Sequence, residues 1–136
     1  MNLREYLGKM RGITHGSPPR VRNGEIVWSW VGGFLGISAV AWVNQLVFSG
    51  LDLTLMIGSF GASAVLVYGA LRSPLAQPRN LIGGHVLSAL VGVAAWKVLQ
   101  GDPWLAQAVA VATAIAVMHA TRTLHPPGGA TALIAV

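Results

Sequence analysis

Long stretches without a single charged side chain set the rhythm of this sequence. Residues 26–51 carry no charge, more than the roughly 20 residues that a membrane-spanning helix needs. A second uncharged run lies between Asp52 and Arg72, a third covers Leu81–Trp96, from which a helix can extend past Lys97 to Leu99, and a fourth covers Pro103–Thr121. The links between them hold turn-forming and helix-breaking residues: Ser49-Gly50, Ser73-Pro74 with Gln77-Pro78, and Gly101-Asp102-Pro103. A fifth segment opens after His125-Pro126-Pro127, and as helix Gly128–Val136 reaches only about 13 Å against a hydrocarbon core of about 30 Å. The pattern predicts an all-α membrane protein with four spanning helices plus the start of a fifth. Residues 1–25 form a basic N-terminal segment and residues 26–136 the transmembrane domain, whose last helix is expected to continue past Val136.

Composition agrees. Only 10% of the 136 residues are charged and 54% are hydrophobic, with a mean hydropathy of +0.62, whereas soluble domains carry about 25% charged residues. That excludes a soluble enzyme and a disordered tail, and the absence of Cys excludes a disulfide scaffold and thiolate chemistry. The net charge of +5 is not arranged for nucleic acid, because uncharged runs separate the cations instead of leaving them clustered on one polar face. It sets orientation. Arg4, Lys9, Arg11, Arg20, Arg22, Arg72, Arg79 and Arg122 fall on one side of a four-helix topology, and Lys97 alone on the other with Asp52 and Asp102. The positive-inside rule puts the N-terminus in the cytoplasm, of a bacterial inner membrane by expectation. Trp28 and Trp30 then mark the inner interface, and Trp42, Trp96 and Trp104 the outer one. Within residues 1–25, Leu3, Tyr6, Leu7, Met10 and Ile13 are spaced for a short basic helix on the inner leaflet; the alternative is a disordered arm whose cations only set topology.

Small residues recur every fourth position: Gly32 and Gly36, then Gly84, Ser88 and Gly92, then Ala106, Ala110 and Ala114. Such stripes let helices approach closely where lipid supplies no hydrophobic drive. Gly58-Ser59-Phe60-Gly61-Ala62-Ser63-Ala64 invites a second interpretation beside packing. Weakened helical winding there would expose backbone N–H groups, and a helix starting there would aim its positive end and the Ser59 and Ser63 hydroxyls at an anion. Phe60–Leu66 also matches Gly128–Ile134 at a constant offset of 68, with Gly, Ala, hydroxyl, Ala and two aliphatics in the same order. In a four-helix topology the two copies enter from opposite sides, as in an inverted repeat whose half-helices meet near the midplane.

In that arrangement the N–H groups of Gly61 and Gly129 converge on one cavity, Ser63 and Thr131 add hydroxyls, and His85 and His125 flank it. Pro126 and Pro127 forbid helix up to residue 125 and place His125 beside the helix entrance; Asn80 and Gly84-His85 stand similarly at the start of the third helix. Each His is otherwise a cap for neighbouring carbonyls, and His119 reads as a packing histidine. The candidate anion-binding set is therefore Ser59, Gly61, Ser63, His85, His125, Gly129 and Thr131. Four His without a close pair make no metal site. With Asp52 and Asp102 both at the outer rim and no Ser-His-Asp arrangement in the sequence, no catalytic machinery or cofactor is implied.

These motifs resemble the HPP family of small integral membrane proteins, which is named for His-Pro-Pro. The resemblance rests on Ser59–Leu66, on Ser73-Pro74-Leu75-Ala76-Gln77-Pro78-Arg79-Asn80 with Gly83-Gly84-His85, and on Leu124-His125-Pro126-Pro127 followed by Gly129-Ala130-Thr131-Ala132-Leu133. It covers about residues 26–136, with Gly128 where members often have Ala. It implies four spanning helices and, from members associated with nitrite transport, a transporter of nitrite or a similar monovalent anion. The rival expectation is a non-transporting accessory or structural subunit of a larger membrane complex. Besides the lipid bilayer and the small anion, a homo-oligomer or a partner complex is expected, because so small a protomer encloses little cavity.

Overall fold

The computed structural model describes residues 21–48 and 58–136, and every described element is helical. Helix α1 spans Asn23–Phe48, α2 spans Gly58–Ala64 and continues as a π-helical segment Val65–Gly69, and a 3-10 turn covers Pro74–Ala76. Then follow α3 (Pro78–Val98), α4 (Pro103–Thr121) and α5 (Pro127–Ile134). The expected interfacial helix at Leu3–Ile13, the Ser49-Gly50 link and Asp52 lie outside the described residues.

Proline explains three of the starts. Pro78, Pro103 and Pro127 each sit at the first positions of a helix, where the missing N–H would have no intrahelical partner anyway and φ is already set for helix. Helix α1 begins ahead of its uncharged run and takes Glu25 into its first turn, where a carboxylate complements the helix dipole. Helix α4 ends at Arg122, which adopts φ 56°. That left-handed residue lets Thr123 N–H reach back to the Met118 carbonyl at 2.9 Å, a C-terminal cap usually given to glycine.

Three helices among the described residues are long and apolar enough to cross a membrane: Asn23–Val47, Pro78–Val98 and Pro103–Thr121. The segment read as the second crossing is helical over Gly58–Gly69, a rise of about 18 Å. Its backbone is not unwound at Gly58–Ala64, as its glycines suggested. That stretch is regular α-helix, and the irregularity follows one step later as the π-helical Val65–Gly69. Single π turns of this kind widen a helix locally and concentrate at functional sites.

The small-residue stripes are the seams of the bundle. Gly84, Ser88, Gly92 and Ala95 are the buried residues of α3, and Ala106, Ala110, Ala114 and Met118 those of α4. Helix α5 packs on both through Pro127, Gly128 and Ala132. A Cβ at Gly84 would lie 2.6 Å from the His125 Cβ, and one at Gly92 2.7 Å from the Ala135 Cβ, so glycine at both positions sets how closely α3 and α5 can approach. Helix α1 packs instead against α2 and its π continuation, with Tyr68 lying over Gly32 and Gly36. All five Trp side chains are exposed, as interfacial anchors are.

Candidate functional site

Helix α2 packs against α5, and α5 against α3, which brings polar side chains from four parts of the chain together. Ser63 Oγ stands 2.8 Å from His85 Nε2 and 2.9 Å from His125 Nε2. His85 Nδ1 stands 2.7 Å from Thr131 Oγ1. His125 Nδ1 is 2.8 Å from the Leu75 carbonyl oxygen. The imidazoles meet edge to face with centroids 5.0 Å apart, and Phe60 covers His85 with centroids at 5.9 Å.

Local sequence holds each member in place. His125 is fully buried in the turn between α4 and α5, and the first turn of α3 secures that turn. Asn80 Nδ2 donates to the Leu124 carbonyl at 2.8 Å, and Arg79 Nη2 to the Thr121 carbonyl at 3.0 Å. The 3-10 turn that presents the Leu75 carbonyl is closed by Ser73, whose Oγ accepts from Leu75 N–H at 3.2 Å. Ser63 and Thr131 are equivalent positions of the two sequence copies, 68 residues apart, and they bond the two different ring nitrogens of one histidine, His85.

The partners determine the protons. A carbonyl only accepts, so His125 Nδ1 donates to Leu75. Neutral His125 then accepts at Nε2 from the Ser63 hydroxyl, Ser63 Oγ accepts from His85 Nε2–H, and His85 Nδ1 accepts from Thr131. The result is one directed chain in which every ring nitrogen is satisfied. It leads to a cleft of about 570 Å³ whose lining includes Val40 of α1, Tyr68, Leu81 and Phe60, with Ser63, His85 and Thr131 in its wall.

Of the expected anion-binding set, Ser63, His85, His125 and Thr131 converge. Ser59 is fully buried one turn before Ser63, and its Oγ has no partner among the described residues. Gly61 is exposed, Gly129 is half-buried, and a Cβ on either would meet no atom of another described element within 4 Å. The Gly129 N–H donates to the Pro126 carbonyl at 3.0 Å, and the groups that meet at His85 are side chains. His85 does not cap carbonyls; it bonds two hydroxyls. His119 is exposed and not a packing residue; the buried neighbour is Met118. The Leu75 carbonyl, Phe60 and Tyr68 had no signal in the sequence beyond standing within or beside the matching motifs.

Comparison with known proteins agrees with this architecture. The family described as HPP, transmembrane region, matches residues 18–136. The chain belongs to the HPP family. Two transmembrane proteins of Dictyostelium discoideum are similar to this HPP protein. One is 46% identical over 135 residues, covering 97% of this chain and 43% of the relative. The other is 42% identical over 140 residues, covering all of this chain and 49% of the relative. The chain thus spans less than half the length of the curated relatives it matches. No solved structure matches it.

Proposed function

We propose that this membrane domain transports a small monovalent anion, with nitrite as the first candidate. The observation that carries the reading is the Ser63–His85–Thr131 group in the wall of an otherwise apolar cleft. Ionisable residues at membrane depth face the bundle interior and mark ion pathways. An anion in the cleft would take the Thr131 hydroxyl from its bond to His85, and is held without the tight grip of a fixed Arg or Lys. Ser59 adds a buried hydroxyl with no partner among the described residues.

In this reading the segment that contains the helix Gly58–Gly69 is the fourth crossing. The two copies containing Ser63 and Thr131 are then inverted half-helices that meet at His85, and the glycines of both copies border the path. The N-terminus is cytoplasmic, the membrane is a bacterial inner membrane, and protomers associate with one another or with a larger complex. Arg122, one turn beyond His119, raises anion concentration at the inner mouth. The role is transport and not catalysis.

Proteoliposomes holding the full chain test this. Flux of nitrite, nitrate, formate or chloride above that of empty vesicles is expected for at least one anion, nitrite foremost. No flux for any of the four defeats the proposal, and stable co-purification with one larger membrane complex would then identify an accessory subunit.

A further inference from the structure

The hydrogen-bonded chain has a property that anion binding does not require. As derived above, protons run one way in the neutral state: Thr131 to His85 Nδ1, His85 Nε2 to Ser63, Ser63 to His125 Nε2, and His125 Nδ1 to the Leu75 carbonyl. One more proton leaves no member unsatisfied. If it rests on His85, both ring nitrogens donate, and Thr131, now an acceptor, turns its own proton to the Pro127 carbonyl 3.5 Å away. If it rests on His125, Ser63 reverses, accepting from His125 Nε2–H and donating to His85 Nε2, while His85 donates from Nδ1 to Thr131. Both states use the same heavy-atom positions.

We infer that Thr131, His85, Ser63 and His125 form a proton-binding relay, which takes one proton from the cleft and shares it between the two imidazoles through the Ser63 hydroxyl. The steps balance. The incoming proton binds Thr131 Oγ1 as the Thr131 proton passes to His85 Nδ1. His85 then gives its Nε2 proton to Ser63 Oγ, and Ser63 gives its own to His125 Nε2. Only O–H and N–H bonds form and break, and the positive charge moves from His85 to His125. Beyond His125 the chain ends on the Leu75 carbonyl, which has no proton to pass on, so the relay stores a proton that returns by the same path.

Among the described residues, the surroundings leave this pair as the proton's seat. Helix α2 contributes Ser59, Phe60 and Ser63, the 3-10 turn the Leu75 carbonyl, α5 Thr131, and α4 Met118, none of them ionisable in this range. On α3 the titratable neighbour of His125 is His85 itself. Arg79 and Lys97 of α3, His119 of α4, Arg122 and, among described acids, Glu25 and Asp102 are all exposed. Tyr68 lies over α1. No acid among the described residues stands by to neutralise the imidazolium, so an anion in the cleft would meet a charge present only while the relay is loaded. The inference rests on the hydrogen-bond geometry and stands whatever the cargo is.

Nitrogen-15 NMR of histidine-labelled full chain in lipid nanodiscs tests it, with His→Gln variants assigning the rings. At high pH His85 is expected to carry its proton on Nε2 and His125 on Nδ1. On acidification the resonances of the His85 and His125 rings are expected to move together at one pH, with one proton taken up by the pair. Ser63→Ala should separate the two responses and Ser63→Thr should rejoin them. The relay is overturned by an Nδ1–H tautomer of His85 at high pH, by a first proton that moves one ring alone, or by neither ring protonating before the protein unfolds. Should Ser63→Ala fail to fold, the wild-type spectra decide alone. Absence of anion flux with coupled rings would defeat the transport proposal and leave the relay intact.

Discussion

Helix α1 and the α3–α4–α5 unit are similarly apolar, yet they are held in different ways. The spanning stretch of α1 buries nothing within the described protein; its Trp28, Phe34, Leu35, Trp42 and Leu46 are all exposed, and Tyr68 is what seats on its two small residues. The α3–α4–α5 unit buries Gly, Ala and Ser, with Ala106, Ala110, Ala114 and Ala132 fully enclosed. Hydrophobicity therefore does not show where a membrane bundle is fixed, because lipid receives Leu and Trp as readily as protein does. Backbone proximity shows it, since dispersion contacts and short polar bonds across Gly and Ala seams are what helices gain in lipid. The polar cluster belongs to the second kind of region, reached through the α2 segment that bridges the two.

The largest effect that could break this contrast is expected at Gly84. A methyl there meets the His125 Cβ at 2.6 Å and the Thr123 carbonyl oxygen at 3.1 Å, and overpacking of a close-packed seam typically costs about 1–3 kcal/mol. Gly84→Val should exceed that and displace the His-Pro-Pro turn, seen as loss of thermal stability in detergent together with loss of flux. Gly33→Ala on α1, whose Cβ would meet, among the described residues, Tyr68 alone at 3.9 Å, should leave both unchanged. Equal damage from the two substitutions would erase the distinction.

Next in size is Ser63→Ala, which strands an imidazole nitrogen on each of His85 and His125. An unmade bond to a buried polar group costs about 1–3 kcal/mol, so flux should fall about tenfold or more while the protein still inserts. Tyr68→Ala should act on α1 alone. Spin-label distances between α1 and α3 should broaden while distances between α3 and α4 stay sharp, and broadening of both would show that α1 shares the fixed unit. Smallest is Arg122→Gly, which should raise stability by about 1 kcal/mol by relieving a left-handed backbone at φ 56°. A decrease would mean that the Arg122 side chain matters more than its backbone.

Much of the fold was legible in charge and proline placement. The fourth uncharged run, Pro103–Thr121, coincides with α4, and the third, Leu81–Trp96 with its extension to Leu99, differs from α3 by a start three residues earlier at Pro78 and an end at Val98. The four-residue spacing of Gly84-Ser88-Gly92 and Ala106-Ala110-Ala114 marked both seams, because a helix face repeats at that interval. Residues 58–69 were harder. Glycine and serine suggested an open backbone, but Gly58–Ala64, with Ser59 and Ser63 buried, is regular α-helix and the irregularity falls at Val65–Gly69. For the site, the 68-residue repeat pointed to Ser63 and Thr131, and proline pointed to His125. The bond between Ser63 and two imidazoles joins α2 to α3 and to the turn before α5, and no local pattern encodes a contact over that separation. The Leu75 carbonyl, which orders every proton in the chain, was invisible because any residue has one.

The central claim is that the Ser63–His85–Thr131 wall of the cleft is where the cargo is handled. Nitrite flux into proteoliposomes, measured side by side for the wild-type chain, Ser63→Ala and Gly33→Ala, tests it most directly. Saturable flux is expected for the wild type and for Gly33→Ala, with Ser63→Ala reduced about tenfold or more at equal incorporation. A Ser63→Ala protein that carries nitrite at the wild-type rate, or a wild-type protein no better than empty vesicles, would contradict it.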